Sequence, residues 1–263
     1  MLLAFDVGNT NILIGLFKDE TLINSWRLST DTNKSADEYG MIVGQFFAHE
    51  GIKMEDVEDI IISTVVPSML FTLQHMALKY FGKAALVVEA GVKTGLSIKY
   101  DNPQQVGADR IVNAVAAYDK YGGPLVLVDF GTATTFCAVT NKGEYLGGTI
   151  APGIKISSEA LSERTSKLPS VEIEDPKRTI CKTTQESVQA GLVYSQMGMC
   201  DFIVSKMKKE LALACKDVKE SDIKVVATGG FAELVNQGLN IIDHIDKNLT
   251  LEGLAIIYKK NKK

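Results

Sequence analysis

Apolar runs over residues 2–7, 11–17 and 21–28 are joined by tight polar turns, the last of them Lys18-Asp19-Glu20, and predict three consecutive strands. Ser35-Ala36-Asp37-Glu38 has the serine and glutamate spacing of a capping box. Tyr39, Ile42, Val43, Phe46 and Phe47 follow at helical spacing up to Gly51. The β-branched run 60–65 predicts a strand, Pro67 opens a helix that runs to Tyr80, and 85–88 is another buried strand. A helix over 109–121 ends at Gly122-Gly123, which completes the order βββαβαβα.

The second half repeats the pattern. Strands are predicted over 125–130, 134–140 and 144–150, then a helix over 154–166 behind Pro152-Gly153. Residues 167–183 read as irregular and 185–211 as a long helix. A strand over 223–228, a short helix over 231–237, a short strand at Ile241-Ile242 and a closing helix over 250–260 finish the chain. This is βββαβαβα again with an inserted helical segment. Hairpins and crossover helices in one sheet, duplicated, predict an α/β fold of two lobes, 1–120 and 121–263, with a ligand cleft between them.

Within this pattern two turns carry polar residues that packing alone does not ask for. Val126-Leu127-Val128-Asp129-Phe130-Gly131-Thr132-Ala133-Thr134-Thr135 is an apolar strand that ends in a carboxylate, a glycine and threonines. Burying Asp129 costs several kcal/mol unless something pairs with it, and a metal ion is a common partner at such a turn. Gly131 lets backbone N–H groups approach an anion, and Thr132, Thr134 and Thr135 offer hydroxyls to it. Leu2-Leu3-Ala4-Phe5-Asp6-Val7-Gly8-Asn9-Thr10-Asn11-Ile12-Leu13 has the same form, and the two acids stand close to half of the 263 residues apart. Two such turns in register point to a duplicated phosphate-and-metal site rather than to a pair of ordinary hairpins.

Composition narrows the class. Apolar content of 46% and charged content of 23% describe an ordinary globular chain able to bury a core. The net charge of −4 argues against nucleic acid as the main partner, and the basic end Lys259-Lys260-Asn261-Lys262-Lys263 reads as a solvated helix end. Cys137, Cys181, Cys200 and Cys215 include no Cys-x-x-Cys pair and the chain has only three histidines, so a zinc site is not expected and reduced thiols in the cytoplasm are. No apolar run is long enough to span a membrane. Walker and dinucleotide glycine loops are both absent, which leaves phosphate to the two Asp-x-Gly turns. Thr228-Gly229-Gly230, at a strand end before a helix, is suited to a nucleotide's ribose or α-phosphate, although a plain β-α turn would read the same way. His75, Trp26 and the methionines of the long helix read as surface or packing residues.

These motifs, together with Tyr100-Asp101-Asn102-Pro103, Gly107-Ala108-Asp109-Arg110, Gly147-Gly148 and Ala151-Pro152-Gly153, resemble those of the type III pantothenate kinases over the full length of the chain. That family lies in the superfamily of actin, heat-shock chaperone ATPases and sugar or acetate kinases. The resemblance implies two ribonuclease H-like lobes and a cytoplasmic homodimer that uses ATP, Mg²⁺ and K⁺ (or NH₄⁺) to make 4′-phosphopantothenate from pantothenate, the first step toward coenzyme A. It implies that Asp6, Val7, Gly8, Asn9, Thr10, Asn11, Ile12 and Leu13 form the first ATP phosphate loop, with Asp6 near Mg²⁺. Thr132, with Gly229 and Gly230, would contact ATP, and Asp129 would bind the monovalent cation. Tyr100, Gly107, Ala108, Asp109, Arg110 and Thr184 would bind pantothenate, with Asp109 as general base. Thr183 stands where the family commonly carries Asn.

The chemistry fits those roles. Phosphoryl transfer asks for positioning and charge stabilisation, and an alcohol needs a carboxylate within reach of its proton. Asp109 beside Arg110 at a helix start is expected to stay ionised, and Arg110 can fork onto the carboxylate of pantothenate. The competing reading makes Asp109 a helix cap. Two other functions stay open: a kinase of another small hydroxy acid or sugar, selected by loops 91–106 and 167–184, and a non-catalytic nucleotide-binding regulator or scaffold. The apolar helix 185–211 is expected to form a two-fold contact that carries Thr184 to the partner's site.

Overall fold

The computed structural model describes residues 1–262, which form two compact units. Unit 1 comprises Met1–Gly95, Asn102–Ala116 and Leu249–Lys263, of which Lys263 lies outside the described residues. Strands β1 (Leu2–Val7), β2 (Asn11–Lys18) and β3 (Thr21–Ser29) form an antiparallel meander. Helix α1 (Ala36–His49) follows, then β4 (Asp59–Thr64), α2 (Pro67–Met76) and β5 (Leu86–Val87). The five-stranded sheet has the order β3-β2-β1-β4-β5, with β4 and β5 parallel to β1. The capping box forms: Ser35 Oγ accepts from the Glu38 N–H at 3.3 Å, and Glu38 Oε2 accepts from the Ser35 N–H at 2.8 Å. Leu3, Phe5, Val7, Ile60 and Ile62 alternate onto one face of the sheet and pack under Tyr39, Val43 and Phe47 of α1 and Met69, Leu73 and Met76 of α2.

Unit 2 comprises Leu96–Asp101 and Ala117–Asn248. It contains β6 (Ser97–Ile98), and the helix α3 (Ala108–Tyr121) enters it from unit 1. The meander β7 (Leu125–Phe130), β8 (Ala133–Val139) and β9 (Glu144–Pro152) is followed by α4 (Ile154–Arg164), α5 (Thr184–Ala214), β10 (Lys224–Thr228), α6 (Ala232–Asn236) and β11 (His244–Ile245). The sheet order is β11-β10-β7-β8-β9-β6. Apart from β6, this repeats the first sheet strand for strand, as the duplicated pattern predicts. Val188, Leu192, Val193, Met197, Cys200 and Val204 make one apolar stripe of α5 that closes the core over β7, β8 and β10.

Three elements differ from the sequence reading in position, occurrence or packing. The strand placed at Ile241-Ile242 lies instead at His244–Ile245. Asp243 accepts the Val225 N–H through its carboxylate at 2.7 Å and donates its own N–H to the Val225 carbonyl at 2.9 Å, so pairing with β10 begins only beyond it. Ile241 and Ile242 pack against the core as half-buried side chains. Residues 97–98, in a segment without a predicted element, add β6 to the edge of β9 through Ser97 N–H to Gly143 O (2.9 Å) and Lys99 N–H to Tyr145 O (2.8 Å). Of the apolar residues on α5 expected to exceed the needs of one lobe, Val188, Leu192, Val193 and Met197 are buried in unit 2, Met199 and Ile203 are half-buried, and Phe202 is exposed.

The last helix, α7 (Leu249–Asn261), belongs to unit 1 and not to the unit of its sequence neighbours. Leu249, Leu251, Leu254 and Ile257 are buried, with Leu251 against Gly15 of β2. Thr250 Oγ1 donates to Asn113 Oδ1 of α3 at 2.7 Å, both groups buried. A Cβ on Gly253 would lie 2.3 Å from the Val112 carbonyl oxygen, so α7 and α3 pack backbone to backbone. Replacing glycine by alanine in an exposed helix stabilises by about 1 kcal/mol. Gly253→Ala is expected to reverse that sign and destabilise by about 1–3 kcal/mol, the usual cost of overpacking, as read by urea denaturation. A more stable variant would show that α7 can move off α3 without cost.

Candidate active site

The first Asp-x-Gly turn joins β1 to β2 in unit 1. The Gly8 N–H donates to Asn11 O at 2.9 Å, which closes the turn, and a Cβ at Gly8 would sit 3.1 Å from that same oxygen. Thr30 at the end of β3 secures it twice, through its N–H to Thr10 O (3.0 Å) and its hydroxyl to Gly8 O (2.7 Å). Asp6 is half-buried, and Asn9 and Asn11 are exposed. Val7 and Ile12 are buried in the core, so a ligand can meet only their backbone. Across the ladder Asp6 is in register with Ser63 of β4, whose hydroxyl is fully buried with no hydrogen-bond partner among the described residues. Ser63 escapes notice in the sequence, and its one signal is a serine ending the run Ile60-Ile61-Ile62.

Asp109 reaches the same end of this sheet. The Val65 N–H donates to Val7 O at 3.0 Å, and a Cβ on Gly107 would come within 3.8 Å of the Val65 side chain. Gly107 O accepts the Ile111 N–H at 3.2 Å and so starts α3. Asp109 folds its carboxylate back over Gly107: Oδ1 accepts from the Arg110 N–H at 2.8 Å and would lie 2.5 Å from any Cβ at position 107. A side chain at position 107 would therefore displace the Asp109 carboxylate from this arrangement. Burial pushes the Asp109 carboxyl pKa up, against the opposing pull of the Arg110 N–H and guanidinium. This differs from the expectation that Arg110 dominates its ionisation. Arg110 itself is buried.

The second turn, in unit 2, is enclosed by glycines. Asp129 is half-buried at the end of β7. A Cβ on Gly229 would stand 2.6 Å from Asp129 Oδ1 and 2.6 Å from Phe130 O, and one on Gly131 would be 3.5 Å from Asp129 Oδ1. The Thr228-Gly229-Gly230 segment thus abuts the turn, and Gly229 has φ +95. A Cβ on Gly153 would meet Thr132 O at 2.3 Å and Gly131 O at 2.5 Å. Thr132 is exposed and Thr135 half-buried. Thr134 is not available to an anion: it is buried and donates to Gln196 Oε1 at 3.0 Å, because the strand alternation of β8 turns it to the core.

Tyr100 is half-buried and lies over Gly147 of β9, where φ is +112 and a Cβ would be 3.0 Å from the ring. Thr184 is the exposed first residue of α5. Its predecessor Thr183 is the cap, its hydroxyl accepting the Glu186 N–H at 3.2 Å. Among the predicted residues, Asp6 to Leu13 and Gly107 to Arg110 are thus assembled in unit 1, and Tyr100, Asp129, Thr132, Thr184, Gly229 and Gly230 belong to unit 2. Among the described residues no group of three or more His, Cys, Asp or Glu side chains could hold a metal ion. Burial pushes the Cys200 thiol up to about 12, which keeps it protonated at neutral pH.

A family model described as type III pantothenate kinase matches residues 2–206. Among solved structures, a Campylobacter jejuni protein assigned to the Baf family of transcriptional activators is 20% identical, with 98% of each chain covered and a TM-score of 0.60. A Sinorhizobium meliloti protein assigned as a 2-dehydro-3-deoxygalactonokinase is 10% identical, with 98% of this chain and 96% of that one covered and a TM-score of 0.55. The ethanolamine utilization protein EutJ from Carboxydothermus hydrogenoformans is 14% identical, with 97% and 89% covered and a TM-score of 0.54. At these identities the likeness is one of fold.

Asp109 gives a test that does not depend on turnover. With its pKa raised on folding, the native state holds the proton more tightly than the unfolded chain. The stability it contributes is full below the unfolded carboxylate pKa, about 3.9, and is lost as pH rises through the folded value. Asp109→Asn keeps an acceptor for the Arg110 N–H and removes the buried charge. Its thermal midpoint is expected above the wild type at pH 7, the gap closing in acid. A variant less stable than the wild type at pH 7 would show that the ionised carboxylate is net stabilising.

Proposed function

We propose that this chain, which belongs to the type III pantothenate kinase family, transfers the γ-phosphoryl group of ATP to the 4′-hydroxyl of pantothenate. Its fold is that of the actin-like ATPases and sugar kinases, and it is a kinase that binds ATP. The observation that carries the substrate reading is the family match over residues 2–206, which spans both Asp-x-Gly turns and the Gly-Ala-Asp-Arg segment.

In this reading Asp109 accepts the hydroxyl proton of pantothenate, and a raised pKa brings a carboxylate nearer to the strength that base catalysis needs. Tyr100, Gly107, Ala108, Arg110 and Thr184 bind pantothenate, Arg110 through its carboxylate. The first turn, Asp6 to Leu13, and Thr132, Gly229 and Gly230 bind ATP. Asp6 suits Mg²⁺ held by one carboxylate, since among the described residues no group of three or more acidic, His or Cys side chains could hold a metal and phosphate oxygens and water complete such a shell. Asp129, a half-buried carboxylate beside glycines, suits a monovalent cation such as K⁺ or NH₄⁺. Bound cations neutralise the charge that develops on the transferred group. The residues themselves position the alcohol and take its proton.

We place the enzyme in the cytoplasm as a homodimer. Its four cysteines are free thiols, and no helix among the described residues is long and apolar enough to cross a membrane. Phe202 on α5 is an exposed apolar side chain that a two-fold contact along this helix would cover.

Purified protein with ATP, Mg²⁺ and K⁺ is expected to release ADP on addition of pantothenate, and to slow sharply when a bulky organic cation replaces K⁺ at constant ionic strength. Asp109→Asn should lower kcat by about 10²-fold or more. ADP release with another hydroxy acid or sugar but not with pantothenate would move the substrate assignment. The dimer is read by refolding inactive Asp109→Asn and Thr184→Val together. If Thr184 serves the partner's site, random pairing restores about a quarter of wild-type activity. Proven heterodimers without activity would keep Thr184 in its own subunit.

A further inference from the structure

Gln196 is a buried amide in a helix stripe that is otherwise apolar. Leu192, Val193, Met197 and Cys200 surround it on α5, and all are buried with it. A side chain of that kind weakens a core unless both ends of the amide are used. Both are: Oε1 accepts from Thr134 Oγ1 at 3.0 Å, and Nε2 donates to Pro152 O at 3.1 Å. Thr134 is the second residue of β8 and Pro152 the last of β9, and Pro152 pairs with Ala133 in the ladder. Gln196 therefore ties the two strands together where the Gly131-Thr132 turn runs into β8.

The next residue transmits this hold to the turn. Gly153 follows Pro152 and packs its Cα against the carbonyl oxygens of Gly131 and Thr132, which a Cβ would meet at 2.5 and 2.3 Å. In a trans peptide the N–H points opposite to the C=O. With both carbonyls pressed onto Gly153, the N–H groups of Thr132 and Ala133 face the other way. Successive amides turned to one side are the element from which an anion cradle is built.

We propose that Gln196 is a positioning residue for the ATP phosphates: through Pro152 and Gly153 it sets the peptide planes of the second Asp-x-Gly turn. This rests on the reading that ATP binds at that turn. A residue needed only for packing would be better replaced by an apolar one of the same size, and that contrast is the test. Gln196→Leu, the double variant Thr134→Val/Gln196→Leu, and Gln196→Glu are compared with the wild type by thermal midpoint, by calorimetric binding of a non-hydrolysable ATP analogue without pantothenate, and by KM for each substrate.

The double variant removes the Thr134 hydroxyl together with the amide and leaves only the Pro152 carbonyl without its donor, so it is expected to unfold at a higher temperature than Gln196→Leu, which strands both. Gln196→Leu and the double variant should both raise the KM for ATP about tenfold and weaken analogue binding to match, with the pantothenate KM within about twofold of the wild type. Gln196→Glu still accepts from Thr134 but sets a carboxylate against the Pro152 carbonyl, and should weaken ATP binding most. Folded variants with unchanged ATP affinity would overturn the proposal, and so would loss of folding in all three, which assigns Gln196 to stability alone. The wild-type control separates the two readings. Analogue binding without pantothenate turnover sinks the substrate assignment and leaves this inference standing, whereas a wild type that binds no analogue sinks both.

Discussion

The close approach of backbone to backbone at the second Asp-x-Gly turn is the constraint around which unit 2 is built. Gly153 and Gly229 come so near the turn that a methyl group on either would overlap a carbonyl oxygen. Three segments far apart in sequence, the turn after β7, the end of β9 and the end of β10, can meet there only because these residues lack side chains. Rigid, closely packed backbone is what anion binding requires, since N–H groups help only if they are aimed before the ligand arrives. Stability and site geometry are the same set of contacts here.

Unit 1 carries the same sequence signal on a different support. Its turn is closed by its own hydrogen bond from Gly8 to Asn11 and tied down by Thr30 on the neighbouring strand. Among the described residues a Cβ at Gly8 would meet only Asn11 O of the turn itself, whereas one at Gly153 would meet the carbonyls of a turn distant in sequence. Duplication has preserved the strand order of both sheets, whereas the means of holding each turn differ. Asp109, at the same end of the first sheet, is held against its solvation preference, its carboxylate buried over a glycine with the Arg110 N–H as partner. A group kept at such a cost is the usual mark of a site shaped for chemistry and not for stability.

Hydrophobic periodicity alone determined much of this protein: the two βββαβαβα passes, nearly every strand and helix, and the duplicated Asp-x-Gly turns. Those signals are local, since a period of two or 3.6 and a capping box are written in adjacent residues. Gly107 and Asp109 stood out in the sequence only through the resemblance of Gly107-Ala108-Asp109-Arg110 to a known family, and the contact of the carboxylate with the glycine belongs to the folded turn. The tertiary structure alone decided what depends on long-range partners. It moved β11 past Asp243, whose carboxylate seeks Val225. It returned α7 to unit 1, where its apolar face finds β1 and β2. It turned Thr134 inward to Gln196 and set Ser63 beside Asp6. A glutamine in a helix and a serine at a strand end are ordinary in sequence, and only the partners that packing delivers give them a role.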